Sequence, residues 1–82
     1  MRKRLEEKYL ERMNLLLREL SQRPLSRREL QTKFLRKVDS PSAFEGTILF
    51  LIRDGRIRKS GSEYRSPYVI IERGQLLLEA LS

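Results

Sequence analysis

The side chains with most chemistry to offer in this 82-residue chain are its arginines and lysines. Four cations, Arg56, Arg58, Lys59 and Arg65, fall within ten residues, with Tyr64 interleaved. A second group holds Arg27, Arg28 and Arg36, and Arg28, Thr32 and Arg36 recur one helical turn apart. A guanidinium fork matches a pair of phosphate oxygens, and each cation that meets a polyanion gains from released counterions. Bond-making chemistry has no such support. Histidine and cysteine are absent, Glu45-Gly46 is not a phosphate loop, and Asp54 beside Gly55 reads as a turn residue. Nothing supplies a nucleophile, a base and an orienting partner together, so the chain does not read as an enzyme. No cofactor or metal is implied, and no small-molecule ligand is evident.

Composition points the same way. Eighteen basic residues face 11 acidic ones, for a net charge of +7 and an isoelectric point near 10.4. Such an excess on a small domain favours a polyanionic partner, nucleic acid before membrane. The apolar runs, such as Leu15-Leu16-Leu17, are far too short to span a bilayer. Met1-Arg2-Lys3-Arg4 could open a signal segment, but Glu6, Glu7 and Lys8 follow where an apolar stretch is needed. A cytoplasmic protein is expected, and residues 1–82 read as a single domain near the lower size limit for a core that stands alone.

These cations need elements to position them. Arg2 to Gln22 reads as a first helix, with Leu5, Tyr9, Met13, Leu16 and Leu20 at helical spacing and Leu10 and Leu17 widening the stripe. Pro24 ends it by disfavouring helical geometry in Arg23. Leu25 could form a minimal strand. Ser26 and Glu29 make a capping box for a second helix whose buried stripe is Leu30, Phe34 and Val38. Ser42 and Glu45 have the same spacing before a third helix, with Phe44, Ile48, Leu51 and Ile52 as its apolar face. Pro41 sits at the first helical position instead if Ser40 is the cap. Gly55 supplies the left-handed residue that ends this helix. A basic strand around Ile57, a polar turn over Lys59-Ser60-Gly61-Ser62 and an aliphatic strand over Tyr68-Val69-Ile70-Ile71 follow. Glu72 to Leu81 is a last helix, in which Gly74 costs roughly 1 kcal/mol unless helix and sheet approach closely.

This order resembles the winged helix-turn-helix domain of small archaeal and bacterial transcription regulators. Its most specific segment is Tyr68-x-Ile70-Ile71-x-x-Gly74-x-x-Leu77-Leu78, similar to the family's tyrosine–aliphatic–threonine–x–x–glycine–x–x–leucine–leucine run. Asp54-Gly55-Arg56-Ile57 resembles the start of its wing. The resemblance implies an α+β, mostly helical fold: three helices, a β-hairpin wing and a C-terminal helix. It also implies duplex DNA as partner, with the third helix in the major groove and the wing on the backbone or minor groove. The chain departs from the pattern at Ile71, where the family caps its last helix with threonine, and in the length of Lys59–Pro67. The third helix also presents Ser42, Gly46, Phe50 and Arg53 outward, flanked by Glu45 and Leu49. Base edges are read mostly by arginine, lysine, asparagine and glutamine, and here only Arg53 qualifies, at the end away from the usual reading position.

The expected DNA contacts are therefore Arg27, Arg28, Thr32, Arg36, Ser42, Arg53, Arg56, Arg58, Lys59, Tyr64 and Arg65, led by phosphate rather than base contact. Each arginine has a plainer use, since a charged side chain on a strand also protects a sheet edge. A tyrosine at position 64 is also expected to pack against its hairpin. The function implied is that of a small transcription regulator or an architectural DNA binder. A protein-interaction module, using Leu49 and Phe50, and an RNA binder are the alternatives. Leucines outside the main stripes, Leu15 on the first helix and Leu76 and Leu78 on the last, point to a homodimer built through both terminal helices.

Overall fold

The first helix holds the molecule together. In a computed structural model that describes residues 5–81, with side chains from residue 7, α1 (Leu5–Gln22) packs against α2, α3, α4 and β2. Those elements are α2 (Arg27–Leu35), α3 (Pro41–Arg53), β1 (Ile57–Lys59), β2 (Tyr68–Ile70) and α4 (Glu72–Leu81). The order is the expected one. Arg2, where the first helix was expected to begin, lies outside the described residues. Met13, Leu16, Leu17 and Leu20 enter the core, whereas Tyr9 and Leu10, about a turn earlier, stay exposed. The sequence stripe therefore runs beyond the body that could bury it.

The core closes between α2 and α3. Leu30, Phe34, Phe44, Ile48 and Leu51 are fully buried, and the Phe34 and Phe44 rings meet edge to face, with centroids 5.5 Å apart. Burying a side chain of this size contributes about 1.5–3 kcal/mol, the main term in a domain this small. Val38 lies beyond the end of α2, in the turn, where its N–H donates to the Phe34 carbonyl at 2.9 Å; it still packs on the core. Ile52 is exposed rather than part of the α3 stripe, and Thr47 is buried instead. The Thr47 hydroxyl donates to the Ala43 carbonyl at 2.7 Å, so that burial leaves no hydroxyl unsatisfied.

Local signals set the helix ends. Ser26 caps α2 with both halves of the capping box formed. The cap of α3 is Ser40, whose Oγ accepts from the Ala43 N–H at 3.2 Å, with Pro41 at the first helical position. Ser42 and Glu45 are thus not a capping box: a proline has no N–H to satisfy, so the helix starts one residue earlier, and Glu45 turns outward to Arg27. At the other end Gly55 takes φ of 69°. Its N–H donates to the Ile52 carbonyl at 3.1 Å and the Arg56 N–H to the Leu51 carbonyl at 2.9 Å, the paired bonds of a Schellman motif.

The hairpin pairs Ile57 with Ile70, Arg58 with Val69 and Lys59 with Tyr68. Leu25 adds a bridge to Tyr68, through a pair of backbone bonds of 3.2 and 2.7 Å. α4 starts without threonine; the Ile71 N–H donates instead to the Arg56 carbonyl at 3.2 Å. Gly74 makes that approach possible, because a Cβ there would run into the Arg56 carbonyl oxygen. Among the described residues no helix is long and apolar enough to cross a membrane.

Candidate nucleic-acid interface

The cations of the sequence fall into two kinds once their surroundings are known. Arg56 belongs to the fold. Its Nε donates to Asp54 Oδ2 at 2.6 Å and its Nη1 to the Arg73 carbonyl at 2.9 Å, so the side chain fastens the α3 terminus to α4. Lys59 is engaged within the wing: Nζ donates to the Tyr64 carbonyl at 3.2 Å and lies 5.4 Å from the Tyr64 ring centroid. Arg27 pairs with Glu45 across the α2–α3 junction, and its guanidinium covers the Phe44 ring at 5.6 Å. The hydrogen bond to Glu45 raises the Arg27 pKa above its ordinary value, with a smaller contribution from Tyr68. Three of the expected phosphate ligands therefore have intramolecular partners.

The second kind is available. Arg28, Arg36, Arg53, Arg58 and Arg65 are exposed, and among the described residues none of them pairs with a carboxylate. Arg58 points from β1 beside the buried Ile57, and its Nη1 makes only a long bond of 3.4 Å to the Lys59 carbonyl. Arg65 lies on the loop between the strands. That loop is shaped by bonds from the Ser60 N–H to Pro67 O at 2.8 Å and from the Ser66 N–H to Glu63 O at 3.1 Å. Tyr64 does not pack against the hairpin core: it is 88% exposed, and the Lys59 ammonium lies over its ring. An exposed ring with a cation behind it can stack on a base or insert beside a sugar. On α2, Thr32 donates its hydroxyl back to the Arg28 carbonyl at 3.0 Å, leaving Arg28 and Arg36 as the reaching groups.

The fold brings some of these residues together and separates others. Tyr68 is the meeting point: it pairs with Lys59 in the sheet, bridges to Leu25 ahead of α2 and influences Arg27. The start of α2 and the base of the wing meet there, and Arg27 links them to the start of α3 through Glu45. Arg53 is at the far end of α3, beside the Asp54–Arg56 corner. On α3 itself Ser42, Leu49, Phe50 and Arg53 are all exposed, and the Ser42 and Ser40 hydroxyls stand 3.3 Å apart. Phe50, 51% exposed, turns toward α1 and shares a groove with Tyr9 and Leu10. Sequence periodicity gave the outward face of α3 but not this neighbour, because helix–helix placement has no local signal. Among the described residues no group of three or more histidines, cysteines or acids could hold a metal ion.

No protein-family model matches the chain, and no curated protein sequence does. Solved structures do. A candidate transcriptional regulator from Thermoplasma acidophilum, TA0346, superposes with a TM-score of 0.72 at 18% identity, over 95% of this chain and 81% of its own. F-93 of SSV1 gives 0.68 at 18% identity, over 85% and 79%. F93 from STIV, a winged-helix DNA-binding protein, gives 0.62 at 19% identity, over 98% and 87%. At such identity the likeness lies in the fold. The chain folds as a winged helix-turn-helix domain: four helices and a two-stranded antiparallel hairpin.

Proposed function

We propose that this protein binds duplex DNA, with α3 directed at the major groove and the wing on the flanking backbone, as a small transcription regulator or an architectural binder. One observation carries the reading: on a winged-helix scaffold of net charge +7, five exposed arginines have no carboxylate partner among the described residues. Unpaired guanidinium groups cost little to place on phosphates, since no ion pair must first be broken. With Arg53 as the one good reader on α3, affinity comes mainly from the backbone and specificity from DNA shape. An electrophoretic mobility shift titration on mixed-sequence duplex at two salt concentrations tests this. Binding that weakens steeply with salt is the expected result; no shift at low salt would favour a protein-interaction module using the exposed Leu49 and Phe50.

The reading includes a homodimer, on altered grounds. Leu15 and Leu78 pack against the domain's own core, so the leucines outside the main stripes are not all free for a partner. Leu76 is, at 58% exposed. Between α1 and α4, Asn14, Arg18, Leu78 and Leu81 line a groove, and the buried Asn14 Oδ1 accepts no hydrogen bond among the described residues. A second copy that covers Leu76 and the rim of this groove would bury apolar surface that one domain leaves open.

A further inference from the structure

We propose that the groove between the first half of α1 and α3 is a binding site for a small amphipathic anion, an aromatic or aliphatic body carrying a carboxylate. The groove has a volume of about 820 Å³, and its apolar lining is Tyr9, Leu10, Met13, Ala43, Gly46 and Phe50. Small-molecule sites span roughly 300–1,000 Å³ and combine such walls with a few placed polar groups. Tyr9, Leu10 and Phe50 are large apolar side chains left exposed here, so this is surface that the domain's own core does not use.

Gly46 is the second observation. It sits in the interior of α3, where glycine weakens a helix, yet its φ is not positive and a Cβ built on it would meet nothing within 4 Å. Nothing within the described chain requires a glycine there, in contrast to Gly74. The open space above it is the groove floor, and a missing side chain lets an occupant lie against the helix backbone.

Charge selects the occupant. Arg12 is the charged residue in the lining; its guanidinium lies 5.7 Å from the Tyr9 ring centroid, and no carboxylate pairs with it among the described residues. Ser40 and Ser42 also line the groove. A second copy of the chain would bring a net charge of +7 of its own to this cation. A compact anion with an apolar body complements both features. The site shares Ser42, Gly46 and Phe50 with the outward face of α3, and it is tested without DNA.

The test is a titration of the full ¹⁵N-labelled chain with 2-naphthoate and, in parallel, with uncharged 2-naphthalenemethanol, followed by amide chemical shifts. Saturable shifts confined to residues 9–13 and 40–50 are expected with naphthoate. Arg12→Gln should weaken naphthoate by about tenfold, the scale of one charge-assisted hydrogen bond, and leave the alcohol unchanged. Gly46→Leu, whose Cβ enters open space and whose side chain would occupy the floor, should remove the binding of both; Phe50→Ala, at an exposed position, should weaken both and serves if the leucine variant loses its native spectrum. Shifts that stay linear to the solubility limit, or equal binding by these variants, would overturn the site. A fall in mass by light scattering caused by Gly46→Leu would also overturn it, by making the groove a contact between copies.

Discussion

At the scale of single residues, two glycines in helices separate the needs of the fold from those of a site. Gly74→Ala should destabilise the domain by about 1–3 kcal/mol, an overpacking cost, because the new methyl meets the Arg56 carbonyl. Gly46→Ala should stabilise it by about 0.5–1 kcal/mol through helix propensity, since its Cβ enters open space. Urea denaturation of the two variants checks the opposite signs. Glu29 offers a test by pH. Its carboxylate accepts from the Ser26 N–H at 3.0 Å, and this bond holds its pKa below the ordinary value, with help from the Ser26 side chain and Arg23. A depressed folded pKa means the stabilisation is complete above the unfolded pKa and is lost as pH falls through the folded one. Glu29→Gln keeps the capping geometry and removes the titration, so its stability should fall less than the wild type's between neutral and strongly acidic pH. Ser26→Ala should cost about 1 kcal/mol at neutral pH.

At the scale of elements, the wing divides its cations between anchoring and reaching. Arg58→Ala with Arg65→Ala should reduce the log–log salt slope of duplex binding by up to about two units, near 0.9 for each phosphate no longer neutralised, with thermal stability unchanged. Arg56→Ala should do the reverse: the slope holds, while stability falls by about 1–2 kcal/mol as two charge-assisted hydrogen bonds disappear from a part-exposed corner. Slopes that change equally in both variants would remove the distinction. α3 likewise has two uses for its outward face. Because Ser42, Gly46 and Phe50 belong both to that outward face and to the groove, an occupant and DNA should compete, each weakening the other by the same factor.

At the scale of the whole molecule, the question is whether two domains act together. Leu76→Glu should convert a dimer to a monomer without loss of fold, whereas Leu78→Glu, which puts a charge against the core, should unfold the domain. Sedimentation equilibrium reads the first and circular dichroism the second. A mass of one chain at every concentration would exclude the dimer. Were it present, two α3 helices on one side of a duplex would sit about one helical turn apart, and the binding site would be two-fold symmetric.

Short-range interactions written in the sequence decide the elements and most of their ends. Ser26 with Glu29, Pro24 and Gly55 act within a few residues, through hydrogen bonds and allowed φ that need no distant partner. Helical periodicity likewise named most of the helical core, from Leu16 and Leu20 to Phe34 and Phe44, whereas the burial of Ile57 had no such signal. The cap of α3 was the local exception, where two serines competed and proline decided between them. What a charged or apolar side chain faces is not local. Arg56 and Arg58 differ by two positions and have opposite uses, because one turns toward Asp54 and the Arg73 carbonyl and the other toward solvent. Leu15 looked free on a helical wheel, but α1 is surrounded on several sides and the core reaches it. The groove over Gly46 exists only because the first turns of α1 run past α3, a placement set by long-range packing.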